Sequence, residues 1–191
     1  VTSADDATSR PEFTRVGTDV LYDGRFRVVR TSVRGADGTE FARDTVVHPG
    51  AVAIVAVDDA DRIALVRQYR ASVDRFVAEL PAGTLEAGED PVRCAQRELA
   101  EETGWRARRC VPLASFVVAP GWCDERVHCF VATGLEEGAR DPQSAEEHAM
   151  RVDWVAREAL LRMIDAGEVE DAKTILGILM YERLRHGSEL S

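Results

Sequence analysis

Lysine is almost absent from this chain. Lys173 is the only one, and arginine supplies the rest of the 24 basic residues. That bias is a trait of composition and points to no function. Long apolar runs are absent too. The run Ala51–Val57 stops at Asp58-Asp59, far short of the ~18 residues of a membrane span. It reads as a buried strand, and no membrane partner is expected. Paired cysteines are missing: Cys94, Cys110, Cys123 and Cys129 form no C-x2-C element, which argues against a zinc site or a thioredoxin-like motif. Val1–Asp6 lacks the basic and apolar stretches of a secretory leader. The expectation is therefore a cytoplasmic protein with reduced thiols. A basic excess is also missing. Lys+Arg is 24 against Asp+Glu 34, a net charge of −10 with a pI near 4.9. An acidic surface repels phosphate backbones, which argues against a general nucleic-acid binder. Small phosphorylated substrates stay open, because a bound metal inverts the local field.

What is present is ordinary globular material. The chain has 191 residues, 45% hydrophobic and 30% charged, enough for one domain or one domain with a small appendage. Residues 1 to about 13 are polar, without periodicity, and expected to be flexible. Two β-rich stretches, Arg25–Val33 and Thr39–Val47, flank the turn signal Gly35–Gly38 and predict a hairpin. Residues 14–48 are read as an N-terminal antiparallel β segment, and 49–188 as the main domain. That domain opens with strands at Ala51–Val57, Arg62–Tyr69 and Phe76–Leu80. Asp90-Pro91 predicts a helix start, with Asp as cap and Pro at the first position. The helix runs to Thr103, and Gly104 suits its C-terminal turn. Strands at 111–118, 127–132 and 150–155 follow, then helices near 156–166 and 171–186. Strands and helices without regular βαβ alternation give an α+β class.

The acidic excess becomes specific on the first helix. Glu98, Glu101 and Glu102 stand three and four residues apart and share one side of it. Val92, Ala95 and Leu99 form the adjoining apolar face, so the carboxylates border the core. Like charges at this spacing cost roughly 0.2–0.5 kcal/mol per pair, and the helix C-terminus disfavours acids. Arg97 can pair with Glu101, but one guanidinium cannot neutralise three carboxylates. Hard oxygen ligands of this kind suit Mg2+, with Mn2+ as the other choice. The plain alternative is a solvated acidic helix face.

The preceding loop tips the balance. Leu80-Pro-Ala-Gly-Thr-Leu-Glu-Ala-Gly-Glu89 places glycines directly before the helix. Gly83, then Glu89, then Arg97-Glu98-Leu99-x-Glu101-Glu102-x-Gly104-Trp105 resembles the Nudix box. Seven fixed residues at this spacing, Gly83, Glu89, Arg97, Glu98, Glu101, Glu102 and Gly104, recur by chance in about one window in 10^8, at roughly 7% each. The resemblance implies an α/β/α sandwich with a mixed sheet, with the box as loop–helix–loop. It implies hydrolysis of a nucleoside diphosphate linked to another moiety. By motif match, Glu98 and Glu102 are the principal metal ligands, Glu101 shares a metal, and the Ala82 carbonyl adds a ligand. Arg97 and Glu89 hold the box together as an ion pair, with Gly83 and Gly104 its structural glycines.

Flanking residues resemble the ADP-ribose pyrophosphatase group: Val66-Arg-Gln-Tyr-Arg70, Glu79-Leu-Pro-Ala-Gly83, His48-Pro-Gly-Ala-Val52, Pro120 fifteen residues past the box, and Asp171-Ala-Lys-Thr174. The resemblance implies substrate roles for Arg43, Arg70, Glu79, Pro120 and Glu125. Arg70 would clamp phosphate through its planar guanidinium. Phe41 is read first as a packing residue and second as an adenine platform. Tyr69 and Trp122 are read as packing. The catalytic base is expected from the loop after the sheet, as Glu147 ahead of Glu146, with Glu101 assisting. His148 is read as an exposed loop histidine. The N-terminal sheet cannot bury both faces alone, and the resemblance implies a homodimer with that segment swapped. The expected reaction is Mg2+-dependent hydrolysis of ADP-ribose to AMP and ribose 5-phosphate. The alternatives are another nucleoside diphosphate sugar, or a non-catalytic ADP-ribose sensor.

Overall fold

The structure is a computed structural model that describes residues 12–24, 26–140 and 149–189. The chain divides into two compact units. One comprises residues 1–48 with 119–124, and the other residues 49–118 with 125–191.

The first unit holds three antiparallel strands in the order β1-β2-β3: Phe13–Asp23, Arg27–Gly35 and Glu40–Val47. The β2–β3 hairpin follows the turn signal, with Gly38 at φ 83°. Strand β1 was not foreseen, and it begins inside the stretch expected to lack structure. Its apolar residues do not alternate cleanly, and two register shifts, at Arg15/Gly17 and Val20/Tyr22, break the period of two. Residues 119–124 attach to β3. Val46 N–H donates to the Trp122 carbonyl (2.8 Å), and His48 N–H to Asp124 (2.8 Å).

The second unit contains two sheets. One is antiparallel, β10-β5-β6: Arg151–Ala156, Arg62–Arg70 and Arg75–Glu79. The other is mixed, β7-β4-β9-β8: Ala82–Thr84, Ala51–Ala56, Arg126–Glu137 and Trp105–Val117, with β4 and β9 parallel. Strand β4 is buried on both faces. Ala51, Ala53 and Val55 pack with Leu160 of α2 (Arg157–Asp165) and Ile178 of α3 (Ala172–Glu189). Val52, Ile54 and Ala56 pack with Cys94, Ala95 and Leu99 of α1 (Pro91–Thr103). Alternate residues of one strand thus face helices on opposite sides, which is the α/β/α sandwich expected.

Helix α1 starts and stops as its sequence dictates. The Asp90 carboxylate accepts from Val92 and Arg93 N–H. Gly104 takes the left-handed conformation at φ 79° and donates to the Ala100 carbonyl. Strand β8 then starts at Trp105, six residues earlier than its apolar pattern suggested. Arg106, Arg108 and Arg109 hide that extension, because its register on β9 is carried by backbone pairing.

Candidate active site

The box is held by one arginine. Arg97 donates through Nε and Nη2 to both Glu89 oxygens, each at 2.9 Å. Its Nη1 donates to Glu98 (2.8 Å) and Glu101 (3.0 Å), and Nη2 reaches the Thr84 carbonyl at 3.4 Å. The Arg97 hydrogen bonds, with help from Glu86 N–H, hold the Glu89 carboxyl down at about 2. Arg97 therefore captures three acids, not the one at i+4 alone. Among the described residues no three His, Cys, Asp or Glu side chains converge as a ready metal cluster.

Gly83 makes room for Glu98. A Cβ at this position would stand 1.8–2.2 Å from the Glu98 carboxylate atoms, far inside contact distance. The short β7 strand, Ala82–Thr84, pairs with β4 and brings this glycine to the acid-bearing side of α1. Glu102 lies deepest, 5% exposed, and accepts from Ala82 N–H at 3.0 Å. Burial pushes its carboxyl up to about 8, and the nearby Glu98 charge adds to the rise.

A second cluster stands beside it. Arg70 Nε and Nη2 donate to the two oxygens of Glu79, each at 2.7 Å. Glu79 is 2% exposed and also receives Lys173 Nζ. Burial alone would raise the Glu79 carboxyl. The Arg70 hydrogen bond and the Lys173 charge outweigh it and hold the group below its ordinary value. Asp171 caps α3, accepting from Thr174 N–H (2.9 Å) and Oγ1–H (2.6 Å) and from Lys173 Nζ (2.9 Å).

Residues 47–176 match the NUDIX domain family.

This chain belongs to the Nudix family.

Three relatives are similar over most of its length. An ADP-ribose pyrophosphatase of Bacillus subtilis is 40% identical, covering 74% of this chain and 77% of that protein. An ADP-ribose pyrophosphatase of Mycobacterium tuberculosis is 38% identical, covering 92% and 86%. A methanol dehydrogenase activator of Bacillus methanolicus is 34% identical, covering 90% and 95%. The crystal structure of an ADP compounds hydrolase superposes with a TM-score of 0.83, covering 95% and 98% at 19% identity. At that identity it speaks for the fold.

Arg43 lies on β3, donates to the Ala42 carbonyl and stacks over the Phe41 ring at 4.7 Å. Phe41 also meets Phe13 edge to face at 5.7 Å. Both contacts favour the packing reading of Phe41. Pro120 sits in the turn closed by Trp122 and Cys123 N–H on the Ala119 carbonyl. Trp122 in that turn is 61% exposed, so it is not the packing residue expected. Tyr69 donates to Asp74 at 2.5 Å and contacts Phe76. Glu125 immediately precedes β9, its carbonyl accepting from Val118 N–H. Glu146, Glu147 and His148 lie outside the described residues. The stretch Asp171-Ala-Lys-Thr174 was noticed only as a flanking resemblance, and sequence reading gave Lys173 and Thr174 no role as partners of this site.

Nudix hydrolases generally use divalent metal ions. The donor set here fits one: carboxylates of Glu98, Glu101 and Glu102 beside a backbone-lined loop, all hard oxygen ligands. The space Gly83 leaves for Glu98, and the desolvation of Glu102 beside it, fit the same group.

Proposed function

We propose that this Nudix enzyme hydrolyses the pyrophosphate bond of ADP-ribose with Mg2+, giving AMP and ribose 5-phosphate. The observation that carries the reading is the acid set of the box, seated against Gly83 and Ala82. The named activity of two relatives, 38–40% identical over most of the chain, supports the substrate. Glu98, Glu101 and Glu102 would hold the metal, with the Ala82 carbonyl. A divalent ion bound there neutralises pyrophosphate oxygens and acidifies a water.

The chain's own residues do the rest. Arg97 spaces Glu98 and Glu101, so the box acids share one scaffold. Arg70 presents the edge of its guanidinium that Glu79 does not use to the substrate phosphates. The fork expected to grip phosphate side-on is taken by Glu79, so recognition uses the Nη1 side. Arg43, Pro120 and Glu125 are assigned to the substrate's nucleoside and ribose ends. Glu147, with Glu146 beside it, accepts the proton of the attacking water.

We assign residues 49–188 to the hydrolase and 14–48 to a homodimer with swapped N-terminal segments. Exposed Phe13, Val20, Leu21, Tyr22 and Phe26 support that assignment, since lone sheets seldom leave such faces to solvent. Light scattering on chains with and without residues 1–48 tests it, and a fully active monomer after truncation removes it. The cytoplasmic placement rests on four cysteines that form no disulfide with one another, three of them buried. Among the described residues no helix is long and apolar enough to cross a membrane.

The decisive experiment incubates the protein with Mg2+ and a panel of nucleoside diphosphate compounds. Preferred release of AMP and ribose 5-phosphate from ADP-ribose is expected. Faster turnover of another nucleotide sugar changes the substrate. Tight ADP-ribose binding without turnover of any compound indicates a sensor.

A further inference from the structure

The chain's only lysine lies at the heart of the second cluster, on the first turn of α3. Lys173 Nζ bridges Glu79 and Asp171, and its side chain is largely buried. Glu79 in turn grips Arg70 along one edge of the guanidinium. The cluster lines a cleft of about 300 Å3 that includes Arg70, Arg75, Glu79, Asp171 and Lys173. Arg75 is matched by Glu170 at its rim, so the cleft carries no cationic surplus of its own.

The same turn of α3 is tied to the loop that leads into the box. Leu80 N–H donates to Thr174 Oγ1 at 2.8 Å, and Thr174 is fully buried. Gly177 lets the helix close on this point, since a Cβ there would stand 2.7 Å from Leu80 Cδ1. Glu79 and Leu80 are adjacent, so α3 fixes both the side chain and the backbone that follows it.

The charge balance gives Lys173 a task. Arg70 and Lys173 together face Glu79 and Asp171, so with Lys173 in place the cluster is neutral and Arg70 carries only part of the Glu79 charge. Without Lys173 the full Glu79 charge would fall on Arg70. A guanidinium cancelled by its own partner attracts an anion weakly.

We infer that Lys173 is a positioning residue for the diphosphate: it draws off half of Glu79 and so keeps Arg70 oriented and electrically available to a phosphate group. This rests on the site being one for a nucleoside diphosphate. Lys173 itself touches no reacting atom in this scheme and acts through Glu79 and Arg70.

The test compares Lys173→Met with Lys173→Arg in the full chain, by steady-state kinetics on ADP-ribose and by calorimetric binding of ADP with Mg2+. Lys173→Met is expected to raise KM and weaken ADP binding about tenfold while kcat changes little. Lys173→Arg restores both. In an Arg70→Met background, Lys173→Met adds no further loss, because the pathway it serves is already gone. Equal ADP affinity in wild type and Lys173→Met, a fall in kcat alone, or an undiminished effect in the Arg70→Met background overturns the inference. Absence of measurable ADP binding by the wild type overturns it as well. A wild type that binds ADP but leaves ADP-ribose intact sinks the proposed reaction, while the ADP affinities still decide the role of Lys173.

Discussion

Two carboxylate clusters in the hydrolase unit use the same residue types to opposite ends. In the box, Arg97 faces Glu89, Glu98 and Glu101, with Glu102 buried behind them. At the start of α3, Glu79 and Asp171 face Arg70 and Lys173, two against two. The consequences are opposite. Glu102 is pushed up to about 8, whereas Glu79 is held below its ordinary value. A balanced buried cluster is a frame. An unbalanced one holds repulsion that a further cation relieves, which is the physical ground for the metal site proposed there.

The largest expected effect separates the clusters by chemistry. Glu102→Gln should lower kcat by roughly a hundredfold or more, at or beyond what loss of an outer-shell partner costs a metal site. Its thermal midpoint should stay level or rise, because a neutral amide replaces a buried carboxyl whose charged form burial already disfavours. Unchanged turnover would remove Glu102 from the site and break the contrast.

The balanced cluster should respond in stability as well as in KM. Glu79→Gln strands two cations, and after discounting for the exposed part of Arg70 a loss of about 2 kcal/mol is expected in urea unfolding. A neutral result would mean that the cluster is not a frame.

A smaller effect measures the acid surplus directly. At about ten times its Kd, Mg2+ should stabilise the wild type by about 1.4 kcal/mol, and Glu102→Gln much less at the same concentration. Equal stabilisation of both would place the ion elsewhere.

The smallest is a pH effect within the box. Glu89 is held at about 2 against an ordinary 4.5. The native state therefore binds fewer protons between those values, and the contribution is full above pH 4.5 and lost as pH falls toward 2. Wild type should exceed Glu89→Gln by about 1 kcal/mol at neutral pH, with the gap closing on acidification. A gap that does not change with pH would show that the Glu89–Arg97 pair adds no stability.

Much of the box was legible because its signals are local. Asp90, Pro91 and Gly104 fix α1 by capping within one turn, and the three- and four-residue spacing puts its acids on one side. Strand β1 was not legible, since two bulges scramble its alternation and leave its residues exposed. Nor was the pairing within the second cluster, although its residues had been noticed one by one. Arg70 and Glu79 are nine residues apart, Glu79 and Lys173 ninety-four, and no periodicity links such positions.

The sequence by itself determined the family, the helix that bears the acids and the side of it on which they stand. These follow from caps, spacing and a motif within 23 consecutive residues, Gly83 to Trp105. Only the tertiary structure decided which cation each acid meets: Glu89, Glu98 and Glu101 share Arg97, Glu79 lies between Arg70 and Lys173, and Glu102 is left in the interior. The physical reason is that helix geometry acts over a few residues. Burial and counterion pairing depend instead on which distant segments the folded core presses together.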